Sequence, residues 1–163
     1  MSEAVEEYRY WEHCGKPAVP VWDRRFLALA EYIAGWSKDP STQCGAVIVD
    51  PSRRIVSTGY NGLARGVVDS DARLMVRGTK YNLVIHAEEN ALLYARQPLD
   101  GCTMYVWPMS PCSRCAAKII QCGITRVVAG QPDTDTADRW QNDWIMAKEM
   151  YREAGVDWEV IDT

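Results

Sequence analysis

The chain has 163 residues, within the roughly 100–200 expected of one domain, and its 47% hydrophobic and 25% charged content allows a buried core. Its 18 Lys+Arg against 22 Asp+Glu leave a net charge of −4, whereas proteins that hold long nucleic acids by counterion release carry a basic excess. No apolar run reaches the roughly 20 residues of a membrane span, and the opening MSEAVEEYRYWEHC lacks a signal-peptide pattern. The expectation is a cytoplasmic protein with neither membrane nor long nucleic acid as partner.

Residues 1–20 mix acids with Tyr8, Tyr10 and Trp11 and close on Pro17 and Pro20, which reads as an arm ahead of one domain over residues 21–163. From Val21, the residues Phe26, Leu27, Leu29, Ala30, Ile33 and Ala34 recur at helical spacing until Asp39-Pro40. Cys44 to Val49 and Ile55 to Tyr60 are β-branched runs around an Asp50-Pro51-Ser52 turn, predicting a hairpin. Asn61-Gly62 breaks the second run. Residues 62–85 then show no clean period and carry Arg65, Arg73, Arg77 and Lys80 against Asp69 and Asp71, a loop long enough to be functional. Predicted helices over His86–Arg96, Pro111–Gln121 and Trp140–Ala154 alternate with strands over Thr103–Trp107, Arg126–Ala129 and Trp158–Ile161. Trp140, Trp144, Ala147 and Tyr151 form a packing stripe. The fold class is α/β: a mixed five-stranded sheet, largely parallel after its opening hairpin, with helices on both faces in three layers.

Six cysteines are too few for a secreted disulfide scaffold, so their spacing matters more than their pairing. Cys14, Cys44, Cys102 and Cys122 stand singly, and each reads first as a small buried hydrophobe. Pro111 suits a helix's first turn, so Cys112 and Cys115, three apart, fall in the next turn on one face, near a helix end that lowers thiol pKa values. His86 and Glu88 open the preceding helix, and first-turn side chains lean back over a helix end. Both motifs therefore point out of one sheet edge, where open α/β folds bind ligands. One imidazole and two thiolates leave zinc a fourth position for water, whose pKa the metal lowers toward about 7 for a neighbouring carboxylate to work on. Cys122, seven residues past Cys115, lies about 10 Å further along the helix and cannot close the site; by spacing, Cys14, Cys44 and Cys102 remain open. Taken alone, Cys112-x-x-Cys115 also reads as a redox pair, His86 as a core histidine and Asn61-Gly62 as a turn.

H-x-E at His86 to Glu88 followed by P-C-x-x-C at Pro111 to Cys115 resembles the zinc-dependent cytidine and deoxycytidylate deaminase superfamily. The stretches SKDPSTQCGAVIV (37–49), GYNG (59–62), HAEENA (86–91) and MYVWPMSPCSRCAAKII (104–120) look most like its deoxycytidylate (dCMP) branch. The resemblance implies a cytidine deaminase-like fold with His86, Cys112 and Cys115 on one zinc ion and Glu88, rather than Glu89, as general acid/base. The implied reaction is hydrolysis of dCMP to dUMP and ammonia, by attack of water at C4 of the base. Family analogy gives Asn61 to the sugar hydroxyl, the Ala87 N–H to the base carbonyl and the Ser110 carbonyl to the amine. Lys38, Ser37 and Arg96 are the phosphate candidates. The branch also implies dCTP with Mg2+ as activator and dTTP as inhibitor, near Gly59, Tyr60, Gly62 and Arg65, in a homo-oligomer, commonly a hexamer. Some relatives carry a second zinc on histidines of the long loop; this loop has no histidine. His13, Cys14 and Cys44 lack a fourth ligand for such a site, so one zinc per chain is expected. Competing readings are a deaminase of cytidine, dCTP or a tRNA base, and a zinc-stabilised module without turnover.

Overall fold

The computed structural model describes residues 20–162, so the expected arm, with His13 and Cys14, lies outside the described residues. Along the chain run α1 (Val21–Ala34), β1 (Gly45–Val49), β2 (Ile55–Tyr60), β3 (Gly62–Leu63), α2 (Asp71–Met75), α3 (Arg77–Leu83), β4 (Val84–Ile85), α4 (Ala87–Tyr94), β5 (Thr103–Trp107), α5 (Ser113–Gln121), β6 (Arg126–Gly130), α6 (Thr134–Ala154) and β7 (Asp157–Ile161). The main sheet has the order β2-β1-β5-β6-β7. No described helix is long and apolar enough to cross a membrane.

Alternation along the strands divides the core. Ala46, Ile48, Met104, Val106 and Val127 pack with Ala87, Ala91, Ala116, Ile119, Ala147 and Tyr151 of α4, α5 and α6. On the opposite face Val47, Val49, Tyr105 and Val128 pack with Phe26, Leu27, Ala30 and Ile33 of α1. Each large apolar side chain so buried contributes about 1.5–3 kcal/mol before entropy is counted. Two glycines let helices approach the sheet closely. A Cβ on Gly45 would lie 2.0 Å from the Ala30 carbonyl oxygen, and one on Gly59 would lie 2.3 Å from that of Ala87.

The sheet is evenly mixed rather than largely parallel: β1 runs antiparallel to both β2 and β5, and only β5-β6 and β6-β7 are parallel. Two antiparallel steps restore direction, so β2, β5 and β6 all end at one edge of the sheet, and β1 begins there. The long loop is not structureless. It holds α2, α3 and a β3–β4 ladder pairing Gly62 with Ile85 and Leu63 with Val84, elements too short to show a period. α1 ends at Ala34 rather than near Asp39, its last turn closing through Trp36 and Ser37 N–H onto Ile33 and Ala34 carbonyls. α4 stops at Tyr94, short of Arg96. α6 begins at Thr134, six residues before the apolar pattern that predicted it, because Asp133 caps it by accepting from the Thr136 N–H at 2.7 Å. The packing stripe holds: Trp144, Ala147 and Tyr151 are buried and Trp140 partly so.

α1 is tied to the sheet by charge as well as packing. Asp23, buried in its first turn, accepts from the Tyr105 hydroxyl at 2.7 Å and from two Arg126 nitrogens at 2.9 and 2.7 Å. Burial opposes its ionisation, but the bonds from Arg126 and Tyr105 prevail and hold the carboxyl below its ordinary value. A depressed carboxylate stabilises the fold above the unfolded-state pKa of about 3.9 and stops doing so as pH falls through its folded value. Asp23→Asn is expected to cost about 2–3 kcal/mol at pH 7. In urea melts that deficit shrinks as the pH is lowered below about 4.

Candidate active site

Both motifs sit on helix N-termini at the sheet edge defined by β2 and β5. β3 leaves the end of β2, and its ladder with β4 returns the chain so that His86 occupies the N-cap of α4. β5 ends at Trp107, and a short turn brings Cys112 to the N-cap of α5, which starts two residues later than Pro111 suggested, with Cys115 in the first turn. His86 Nδ1 lies 3.4 Å from Cys115 Sγ and 3.6 Å from Cys112 Sγ. Neighbouring donors around a tetrahedral zinc, with Zn–N about 2.0–2.1 Å and Zn–S about 2.3 Å, stand about 3.5 Å apart. The donor set and its spacing therefore fit zinc. Among the described residues no fourth His, Cys, Asp or Glu joins this cluster. Cys44 lies on the cavity wall, Cys102 is buried in the core and Cys122 is exposed.

With the His86 and Cys112 side chains turned toward each other, other residues satisfy the helix ends. Glu89 accepts from the His86 N–H at 3.1 Å and pairs with Lys118 of α5, so it ties the two helices together and has no part in the cavity. At α5, Asp143 reaches over from α6 and accepts from the Ser113 N–H and hydroxyl, each at 2.7 Å. The Cys115 thiol and, against burial, the His86 ring draw the Cys112 thiol down to about 4, making it the thiolate of the pair; Cys115 is pushed up by the same pairing and by burial. That thiolate raises the pKa of His86 against its burial. Glu88 is 5% exposed, and burial pushes its carboxyl up against the pull of His86.

A cavity of about 340 Å³ opens above these groups, lined at its floor by His86, Ala87, Glu88, Ser110 and Cys112 and on its walls by Asn61, Cys44 and Val106. The Asn61 amide is held inside the protein: Oδ1 accepts from the Cys44 N–H at 2.7 Å, and Nδ2 donates to Thr42 O at 2.9 Å and Asp39 Oδ2 at 3.3 Å. One Oδ1 lone pair is left over. The Ser110 carbonyl accepts from Trp144 Nε1 at 3.0 Å, which fixes its direction.

The three phosphate candidates lie off this cavity. Ser37 is buried and donates to the Asn61 carbonyl at 2.8 Å, supporting the turn. Lys38 is exposed and paired with Asp69 at 2.7 Å. Arg96 is exposed beyond the end of α4. Of the regulatory candidates, Gly59 packs under α4, Tyr60 meets the Trp36 ring edge-on, Gly62 lies in β3, and Arg65 donates to the Tyr94 hydroxyl at 2.9 Å. Sequence reasoning missed the cations and polar groups that do line the cavity: Arg77, Lys80 and Tyr81 of α3, Asp39, Ser41 and Thr42 before β1, and Arg139 of α6. The long loop's positive charge was a signal for the first two; Arg139 fell outside the helix as it was expected.

Three metal donors, a buried carboxylate and a cavity over the carboxyl ends of strands define a metal-centre hydrolase of the α/β class. The family model for the cytidine and deoxycytidylate deaminase zinc-binding region matches residues 20–131. An "uncharacterized deaminase in luxG 3'region" of Aliivibrio fischeri is 46% identical over 136 residues, covering 83% of this chain and 90% of that protein. Human deoxycytidylate deaminase is 40% identical over 116 residues, 66% of this chain and 63% of that protein. In structure, the dCMP deaminase of cyanophage S-TIM5 in complex with dCMP and dUMP superposes with a TM-score of 0.71 at 23% identity, covering 89% of this chain and all of that one. The chain belongs to the cytidine and deoxycytidylate deaminase family and has its fold.

Purified protein should carry about one zinc per chain by elemental analysis. Cys112→Ser and Cys115→Ser should lose it, while Cys44→Ser and Cys122→Ser retain it.

Proposed function

We propose that this enzyme hydrolyses dCMP to dUMP and ammonia, with one zinc per chain on His86, Cys112 and Cys115. The observation that carries the reading is that Glu88, buried and with its pKa raised, lines one cavity with His86 and Cys112, the third donor Cys115 lying 3.4 Å from the His86 ring. Support comes also from relatives named deoxycytidylate deaminase, of which the chain spans 63% of the human protein's length. Bound zinc supplies a Lewis acid that lowers the pKa of water toward about 7.

Glu88 takes a proton from the attacking water and passes it to N3 of the cytosine, then takes the proton of the new C4 hydroxyl and delivers it to the amine, which leaves as ammonia as the C4 carbonyl forms. A carboxyl raised by burial suits a group that must both accept and release a proton near neutral pH. The Ala87 N–H, at the first position of α4, meets the base carbonyl oxygen. The second lone pair of the Ser110 carbonyl, held in place by Trp144, receives the amine. Asn61 accepts the sugar hydroxyl on its remaining lone pair, its amide fixed by Cys44, Thr42 and Asp39.

In the same reading dCTP with Mg2+ activates and dTTP inhibits, through the turn Gly59-Tyr60-Asn61-Gly62 and Arg65, in a cytoplasmic homo-oligomer, a hexamer by resemblance. The exposed Arg65 guanidinium, whose partner is a neutral tyrosine, supports an anionic effector there. Ammonia release with dCMP, cytidine, dCTP and a tRNA substrate tests the reaction, and sedimentation tests the assembly. Glu88→Gln should lower dCMP turnover by about 10²–10⁴-fold while keeping its zinc. No turnover of any of these substrates by the zinc-loaded wild type, together with unfolding on zinc removal, would instead favour a zinc-stabilised module. Indifference of the wild type to dTTP and dCTP would remove regulation and leave the reaction.

A further inference from the structure

Resting on the dCMP reading, we propose that Arg139, assisted by Arg77, binds a single 5′-phosphate at the cavity mouth, and that Asp133 and Asp135 turn away a longer phosphate chain. An outer cleft of about 730 Å³ adjoins the cavity, and the two share Asp39, Ser41, Thr42 and Arg139 in their linings, Asp39 being neutralised by Lys80. A nucleotide whose base reaches Glu88 on the floor extends its phosphate toward that shared lining.

The charges there are not equivalent. Lys80 is buried and paired with Asp39 at 3.0 Å, so it offers little free positive charge. Arg77 and Arg139 make no ion pair with a carboxylate among the described residues. Arg77 donates from Nε to the Tyr81 hydroxyl at 2.8 Å and lies over that ring. Arg139 donates from Nε to the Asp135 carbonyl at 3.2 Å and from one terminal nitrogen to the Thr136 hydroxyl at 3.1 Å. Two of its five N–H donors are thus engaged, and their bonds orient the fork while the rest remain for a phosphate.

Beyond Arg139 the sign reverses. The outer cleft is lined by Asp133 and Asp135. The Thr136 backbone N–H holds Asp133 below its ordinary value, so it is ionised near neutral pH. One phosphate satisfies Arg139, whereas a second and third would enter a cleft of like charge, which discriminates by repulsion. Arg139 lies after residue 131, where the family-model match ends. Asp133 and Asp135 lie beyond it too, whereas Arg77 and the residues that handle the base lie within it.

The test compares wild type, Arg139→Ala, Arg139→Lys and Asp135→Asn. Kinetics with dCMP and dCTP are read beside calorimetric binding of dUMP and deoxyuridine. Arg139→Ala should raise KM for dCMP about tenfold to a hundredfold with little change in kcat, and weaken dUMP by a similar factor. Deoxyuridine binding should stay unchanged, Arg139→Lys should recover part of the loss, and Asp135→Asn should raise the dCTP-to-dCMP ratio of kcat/KM. Equal weakening of dUMP and deoxyuridine in Arg139→Ala, or no weakening of either, would overturn the phosphate assignment. An unchanged ratio in Asp135→Asn would overturn the exclusion of longer chains. Should the wild type fail to deaminate dCMP while dUMP binding still depends on Arg139, the proposed reaction falls and the phosphate site stands.

Discussion

The placement of β1 antiparallel between β2 and β5 is the constraint on which the rest depends. Because it reverses direction twice, β2, β5 and β6 finish at one edge, and the helices that follow begin there. Three helix N-termini, those of α4, α5 and α6, are thereby gathered over a single opening. The start of β1 adds Cys44 and the turn before it. Making just one of the two β1 pairings parallel would send the histidine and the cysteines to opposite ends of the sheet.

The proximity of those helix ends has a cost that the surrounding residues meet locally. Orphan N–H groups at a helix start ordinarily take an N-cap side chain, but here the N-cap positions are His86 and Cys112, whose side chains face each other. Glu89 and Asp143 supply the missing acceptors, the first from within α4 and the second from across the α5–α6 contact. Glycine at 59 permits α4 to lie directly on β2, which sets the depth of His86 and Glu88. Catalytic donors, caps and close packing thus form one mechanical unit, in which the neighbour of the buried carboxylate, Glu89, is structural.

The electrostatics follow the same geometry. The floor is buried, so Glu88 is harder to ionise, while the Cys112 thiol is drawn down by Cys115 and His86 beside it. The walls are neutral or internally paired, as with Lys80 and Asp39, and the free arginines stand at the mouth. A chain with a net charge of −4 can in this way present positive charge locally to an anionic ligand.

Much of this was legible in the amino-acid sequence. The order of strands and helices, the α/β class, and the pairing of Cys112 with Cys115 follow from local periodicity and from residues that one helix turn brings together, while the joining of His86 and Glu88 to them came from the shared sheet edge and the family resemblance. α2, α3, the β3–β4 ladder and the start of α6 were not legible, because two to seven residues show no period and a polar first turn held by Asp133 carries no apolar signal. The direction of β5 against β1, the internal engagement of Asn61, and the separation of Lys38 and Arg96 from the cavity were decided by tertiary structure alone. Each depends on which strand lies beside which, on hydrogen bonds such as that from Cys44 to Asn61, or on ion pairs such as Lys38 with Asp69, all between residues 17 or more apart. Local sequence determines what each segment can be. Only packing decides which groups are consumed inside the protein and which are left facing a ligand.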